Sequence, residues 1–173
     1  MSYERYEEAK LAGARKYKIR EKIFSLRDNF QIKDEFDVIA YTVRSKLLTI
    51  GDKLTLESPE GIPLVRIEQE VMHLLAHYNI ISAINDQTLA TLKQKWTWLK
   101  HKCEITSVFG LYELTGNIIA YEFVITKNGE VVATVSKKWF SWTDSYGVEV
   151  VETEDHAFIM ALVIVVDQIY HKP

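Results

Sequence analysis

Four stretches of the chain share one pattern of apolar and polar positions: FQIKDEFDVIAYTVRSK (30–46), LTLESPEGIPLVRIEQEV (54–71), YNIISAINDQTLATLKQKW (78–96) and FVITKNGEVVATVSKKW (123–139). In each, an alternating run meets a turn rich in Asp, Asn, Glu or Gly, and a second alternating run follows. A period of two sends successive side chains to opposite faces, so each stretch predicts a β-hairpin. Asn128-Gly129 is the strongest short hairpin signal, and SPEG at 58–61 is another good turn. The closest pair is ATLKQKWTW (90–98) and ATVSKKWFSW (133–142), which match from Ala through Trp at a constant offset of 43. Adding YKIREKIF (17–24), the runs within 103–117 and YGVEVVE (146–152) brings the expected total to eleven or twelve antiparallel strands.

The pattern changes at DHAFIMALVIVVDQIYH, residues 155–171. Ten consecutive apolar residues, Ala157 to Val166, cover every direction of a helical wheel, and a helix apolar all round is buried on all sides. Ten residues are too few for the ~20 that a membrane-spanning helix needs. Asp155 near the start and His171 at the end suit one helix and its dipole. Its length of ~25 Å, at 1.5 Å per residue, equals that of a strand of seven or eight residues. Side chains alone fill an eight-stranded barrel, so a barrel that encloses a helix ~10 Å across needs more strands than eight. The expected fold is mainly β: a closed antiparallel barrel of about twelve strands around a buried C-terminal helix. In the matched hairpins Ala90, Leu92, Ala133 and Val135 are expected inside, and Thr91, Lys93, Lys95, Thr134, Ser136 and Lys138 in solvent. Residues 1–16, with Glu4, Glu7 and Glu8 ahead of Lys10, Arg15 and Lys16, predict a helical extension before a barrel domain at 17–173.

Composition narrows the function classes. A length of 173 residues and 47% apolar content suit one globular domain with a sizeable core. The net charge of −3 advertises no nucleic-acid partner, so any basic patch is local. Cys103 is the sole cysteine, which excludes an internal disulfide and a Cys-rich zinc site and suits a cytoplasmic location. The first ten residues carry no apolar segment of the kind that a secretory signal has.

These residues carry a family resemblance. YKIREKIFSL (17–26), FQIKDE (30–35), LTIGDKLTL (48–56) and above all VSKKWFSWTDSYGVEV (135–150), leading into Asp155–Asp167, resemble the LURP-one-related family. That family is part of the tubby C-terminal-like superfamily, which includes the phospholipid scramblases. The resemblance implies a twelve-stranded barrel around a hydrophobic C-terminal helix. DEFDV (34–38) departs from the pattern, because relatives often have Gly in that turn. The scramblase comparison raises calcium for DSYGVEVVETED (144–155), but this stretch lacks a closely spaced Asp-x-Asp opening, and its ligand set falls short of the usual six to eight oxygens.

Catalytic motifs are absent: the chain has no HExxH, GxSxG, GxxxxGK[ST] or GxGxxG. His73 and His77 (HLLAH) have ligand-like spacing, but sequence places no third ligand, so no metal or other cofactor is assigned. Asp34, Glu35 and Asp37 cluster where acidic residues favour a turn. Basic residues recur at strand ends, among them Arg44 and Lys46, Lys93 and Lys95, Lys100 and Lys102, and Lys137 and Lys138. Such ends protect sheet edges, and they also bind anions. Tubby relatives bind phosphoinositides, so the resemblance implies a non-enzymatic binding or scaffold module that takes anionic phospholipid or a protein partner. Lys93, Lys95, Lys137 and Lys138 are the candidate ligand-binding residues. The alternative is an enzyme or small-ligand protein with its site at a barrel mouth. Asp167, just past the apolar run, is expected near a rim with water or a basic partner, and Lys137 is the candidate.

Overall fold

The computed structural model describes residues 13–20, 29–46, 50–51, 53–96, 101–138 and 145–171. Every expected hairpin forms. The strands are β1 (Arg15–Arg20), β2 (Phe30–Asp34), β3 (Ile39–Ser45), β4 (Lys53–Glu57), β5 (Pro63–Gln69), β6 (His77–Ser82), β7 (Thr88–Trp96), β8 (His101–Ser107), β9 (Tyr112–Asn117), β10 (Glu122–Lys127), β11 (Glu130–Ser136) and β12 (Ser145–Val150). They form one twelve-stranded antiparallel sheet in the order β8-β7-β6-β5-β4-β3-β2-β1-β12-β11-β10-β9. The one pairing between strands distant in sequence is β1 with β12, from Arg15 opposite Val150 to Arg20 opposite Ser145. β1 starts two residues earlier than expected, so Arg15 and Lys16 are strand, and Gly13 and Ala14 before it are not helical either; the rest of the expected N-terminal helix, 1–12, lies outside the described residues.

The sheet curls into a nearly closed barrel, with a seam between β8 and β9. Among the described residues these two strands are joined by one bridge, Ser107 with Gly110, next to their connecting turn. Residues of an antiparallel pair alternate between bonding the partner and turning N–H and C=O the other way. Val108 N donates to Leu89 O and Asn128 N donates to Leu111 O, which fixes the phase of both strands. Cys103 and Ile105 of β8, and Tyr112, Leu114 and Gly116 of β9, therefore aim their backbone groups into the seam.

Helix α1 (His156–His171) fills the barrel. Asp155 caps it: its side chain accepts from Phe158 N and its carbonyl from Ile159 N, both at 3.0 Å. Residues from Ala157 to Gln168 are all buried. They meet the inward side chains of the strands, among them Ile19, Ile32, Val43, Leu56, Ile67, Ile80, Leu92 and Val148. Ala90, Leu92, Ala133 and Val135 lie inside as expected. Ser136 does not reach solvent: it is buried, and its hydroxyl is 3.0 Å from both Glu122 carboxylate oxygens. A hydroxyl on a strand next to an acidic neighbour satisfies itself across the strands, a partnership that alternation does not reveal.

Local chemistry sets the turns. Asn128 and Gly129 both take positive φ (51° and 87°), as the predicted two-residue hairpin turn requires. In the DEFDV turn Asp37, a non-glycine residue, adopts φ 63°. The Asp34 side chain holds that turn by accepting from Phe36 N and Val38 N, both at 2.9 Å. Gly116 is required, since at its φ of 127° a Cβ would lie 2.5 Å from the Glu122 carbonyl oxygen.

Candidate functional site

Because neighbouring strands are antiparallel, the odd-numbered strands all end at one rim, here called the upper rim, and the even-numbered strands at the lower rim. α1 follows β12, so it enters from below and its C-terminus reaches the upper rim. Lys93 and Lys95 near the end of β7, and Lys137 and Lys138 just after β11, all belong to the upper rim. They do not form one cluster. β8, the seam, β9 and β10 separate the two pairs, because β7 and β11 sit on opposite flanks of the opening. Lys93 and Lys95 are exposed, and Lys95 forms an ion pair with Glu104 of β8. Lys137 is half-buried, with Nζ 4.9 Å from the centroid of the Tyr121 ring.

Beneath Lys137 lies a buried polar group. Asp167 is 4% exposed, and its Oδ1 accepts from the Tyr121 hydroxyl at 2.7 Å. His171, one turn further on, brings Nδ1 to 3.3 Å from the same oxygen, within ion-pair reach when the ring is protonated. The expected basic partner is thus His171 and not Lys137, which stands over the Tyr121 ring instead. An i,i+4 neighbour on the same helix needs no chain-wide register to find its carboxylate. Burial pulls the His171 pKa down, but the Asp167 carboxylate and the Ile119 carbonyl beside it leave it raised, while Lys137 opposes. Tyr121 holds φ 54° and stacks with both Tyr146 (ring centroids 4.5 Å apart) and His171 (4.0 Å). A non-glycine residue in that region is strained, and these contacts hold it there. The residues around this group leave no space for a water-sized molecule.

A second polar group sits at the upper end of β5 and β6. Glu70 N donates to His77 O at 2.8 Å, which adds the last rung of that hairpin. His73 folds back from the connecting loop, so its Nε2 is 2.8 Å from Glu70 Oε2, and His77 Nδ1 is 3.2 Å from the same oxygen. Sequence spacing singled out the two histidines. Glu70 was missed, because hairpin register and the folding back of the loop, not spacing, bring it between them.

The acidic stretch at 144–155 does not converge on a common point at the lower rim. Glu154 accepts from Lys127 Nζ (3.0 Å) and from the Tyr112 hydroxyl (2.8 Å), Asp155 caps α1, and Gly147 is buried in β12. Asp144 lies outside the described residues. The seam opens into a groove of about 510 Å3, lined by Cys103, Leu114, Ile118 and Tyr170 among others. Burial, with Glu104 adding to it, pushes the Cys103 thiol up to about 12, which disfavours the thiolate that a nucleophile or metal ligand needs. Burial likewise pushes Tyr170 up to about 12.

An antiparallel barrel of twelve strands threaded by an apolar helix defines the class, and comparison with known proteins gives the family. The model of the LURP-one-related family matches residues 15–167, and the chain belongs to that family. It is 33% identical over 154 residues to the uncharacterized protein YxjI of Bacillus subtilis (strain 168), covering 89% of this chain and 93% of that one. The X-ray structure of a protein from Arabidopsis thaliana matches with a TM-score of 0.67 at 21% identity, over 90% of each chain, a likeness of fold. None of these matches indicates a catalytic family. No helix among the described residues is long and apolar enough to cross a membrane.

Proposed function

We propose that the protein is a non-enzymatic binding module that docks its upper rim weakly on anionic phospholipid, with Lys93, Lys95, Lys137 and Lys138 as its basic contacts. The observation that carries this reading is the coincidence at one rim of basic strand ends and exposed apolar loop residues. Ile50, Met72, Leu74 and Ile119, in three different upper loops, are each at least 66% exposed. The lower rim also exposes apolar side chains, among them Phe36 and Ile84, but it carries Asp34, Asp37, Glu152, Glu154 and Asp155, so charge is what makes an anionic surface favour the upper end. Each lysine near an anionic surface contributes about 1 kcal/mol, so four reach roughly millimolar affinity. Insertion of apolar tips such as Met72 and Leu74 adds ~1.5–3 kcal/mol for each side chain fully buried, which moves the affinity towards micromolar. A lysine already engaged contributes less than the average, as where Lys95 is shared with Glu104 and Lys137 with Tyr121. On this reading the protein works in the cytoplasm, where the facing leaflet is anionic, and a tubby-like preference for phosphoinositide is the first to test.

The test is cosedimentation with vesicles that are neutral, phosphatidylserine-containing or phosphoinositide-containing, at ~50 and ~300 mM salt. Binding is expected to anionic vesicles, to weaken at the higher salt, and to fall further in the Lys93→Glu/Lys138→Glu and Met72→Asp/Leu74→Asp variants. Equal partition onto neutral and anionic vesicles, or wild-type binding by both variants, overturns the reading.

A further inference from the structure

We propose that Glu70, His73 and His77 form a binding site for a divalent transition-metal ion, best suited to zinc, with three protein ligands and one position left to solvent. These three side chains are the group among the described residues whose ligand atoms all lie within 4.8 Å of one another. A tetrahedral ion with bonds of 2.0–2.1 Å separates its ligand atoms by ~3.3 Å. Glu70 Oε2 already lies 2.8 Å from His73 Nε2 and 3.2 Å from His77 Nδ1, so side-chain rotations alone open the nest to that size. The two rings lie close, with centroids 4.5 Å apart.

The backbone prepares this arrangement. Glu70 and His77 are cross-strand partners in the last rung of the β5–β6 hairpin, and neighbours in such a pair project to the same face. His73 comes from the six-residue loop between them, close enough to reach both. Around the carboxylate, Asn79 Nδ2 donates to Glu70 Oε1 at 2.6 Å, and Thr91 Oγ1 donates to Asn79 Oδ1 at 2.9 Å. Oε1 is thereby held and Oε2 is turned towards the histidines, the outer support that metal-binding carboxylates usually have.

The donor set decides the kind of ion. Two imidazoles and one carboxylate suit zinc and its neighbours, whereas magnesium and calcium take oxygen ligands. One carboxylate against a doubly charged ion leaves a net charge of +1, and Lys93, opposite His77 on β7, adds to it. That surplus favours an anionic or ionised fourth ligand over a neutral one. His77 is largely shielded while Glu70 and His73 are accessible, so the ion has an open path from solvent.

The test is calorimetric titration of the full chain with Zn2+, and with Mg2+ and Ca2+ as comparisons, alongside Co2+ absorption as a report of coordination geometry. One Zn2+ per chain is expected, with at least tenfold weaker binding in His73→Ala and Glu70→Gln and roughly tenfold weaker binding in Asn79→Ala. His73 is exposed and outside the strands, so His73→Ala remains a valid test even if a His77 variant fails to fold. His101→Ala and Cys103→Ser are expected to retain wild-type affinity. Unchanged Zn2+ affinity in His73→Ala, loss of it in Cys103→Ser or His101→Ala, or tighter binding of Ca2+ than of Zn2+ overturns the proposal.

Discussion

Tyr121→Phe isolates one hydrogen bond in the upper rim. The ring keeps its shape, so stacking on Tyr146 and His171 survives, and only the hydroxyl that donates to Asp167 Oδ1 at 2.7 Å is lost. Both residues are 4% exposed, so water does not replace the lost donor freely. A hydrogen bond to a charged group contributes ~1.5–3 kcal/mol, and His171 still faces the carboxylate, which sets the expected loss at about 2 kcal/mol. For a chain of this size that corresponds to a fall of ~4–8 °C in Tm. In urea, with m of ~2–3 kcal/mol/M, the midpoint moves down by roughly 0.7–1 M at unchanged m. The assay is urea and thermal unfolding of wild type, Tyr121→Phe, Asp167→Asn and the double variant at pH 7. If the hydroxyl acts through the carboxylate, Tyr121→Phe costs about 1 kcal/mol less in the Asp167→Asn background. A Tyr121→Phe protein within ~0.3 kcal/mol of wild type, or an equal cost in both backgrounds, would refute the reasoning.

Leu162 is fully buried inside the barrel, so Leu162→Asp, which sets an unpaired charge there at a cost of several kcal/mol, is expected to abolish soluble folded protein; a cooperative melt of that variant would contradict the enclosed helix. His171 supplies a pH dependence: with its folded pKa raised above the unfolded ~6.5, its contribution to stability is full below pH ~6.5 and is lost as pH rises through the folded value. The stability gap between wild type and His171→Gln is therefore expected to shrink from pH 6 to pH 8.5, and a gap that widens over that range would reverse the sign argued here.

Much of the architecture was legible because it is written in periods. A period of two predicts strands wherever one face is buried and one is wet, and an all-round apolar segment admits one place, the interior. The limits show where that logic stops. Around β10 and β11 both faces are partly buried, so Ser136, polar and expected in solvent, lies under cover against Glu122. The matched hairpins suggested equivalent basic ends, yet similarity of sequence says nothing of distance around a barrel, and the two lysine pairs lie on opposite flanks of the seam. Spacing found His73 and His77 but not Glu70, whose role depends on pairing with His77 across the hairpin. Tyr121 is the hardest to foresee: a bulky residue at positive φ carries no local signature, and only the packing of Tyr146, His171 and Asp167 around it explains its conformation.

The enclosed helix has a consequence for how the chain is made. It follows all twelve strands, so during synthesis a ribosome exposes the entire sheet before the element that fills it. β1 must also wait for β12, about 130 residues later, before that pairing can form. Until then the inward faces of the hairpins have only one another to cover them, which is the condition under which nascent chains aggregate. Cotranslational folding is thus confined to local hairpins, and the cooperative step waits for the helix. A chain stalled before the helix is made is an open sheet without its core, a natural substrate for chaperones and proteases.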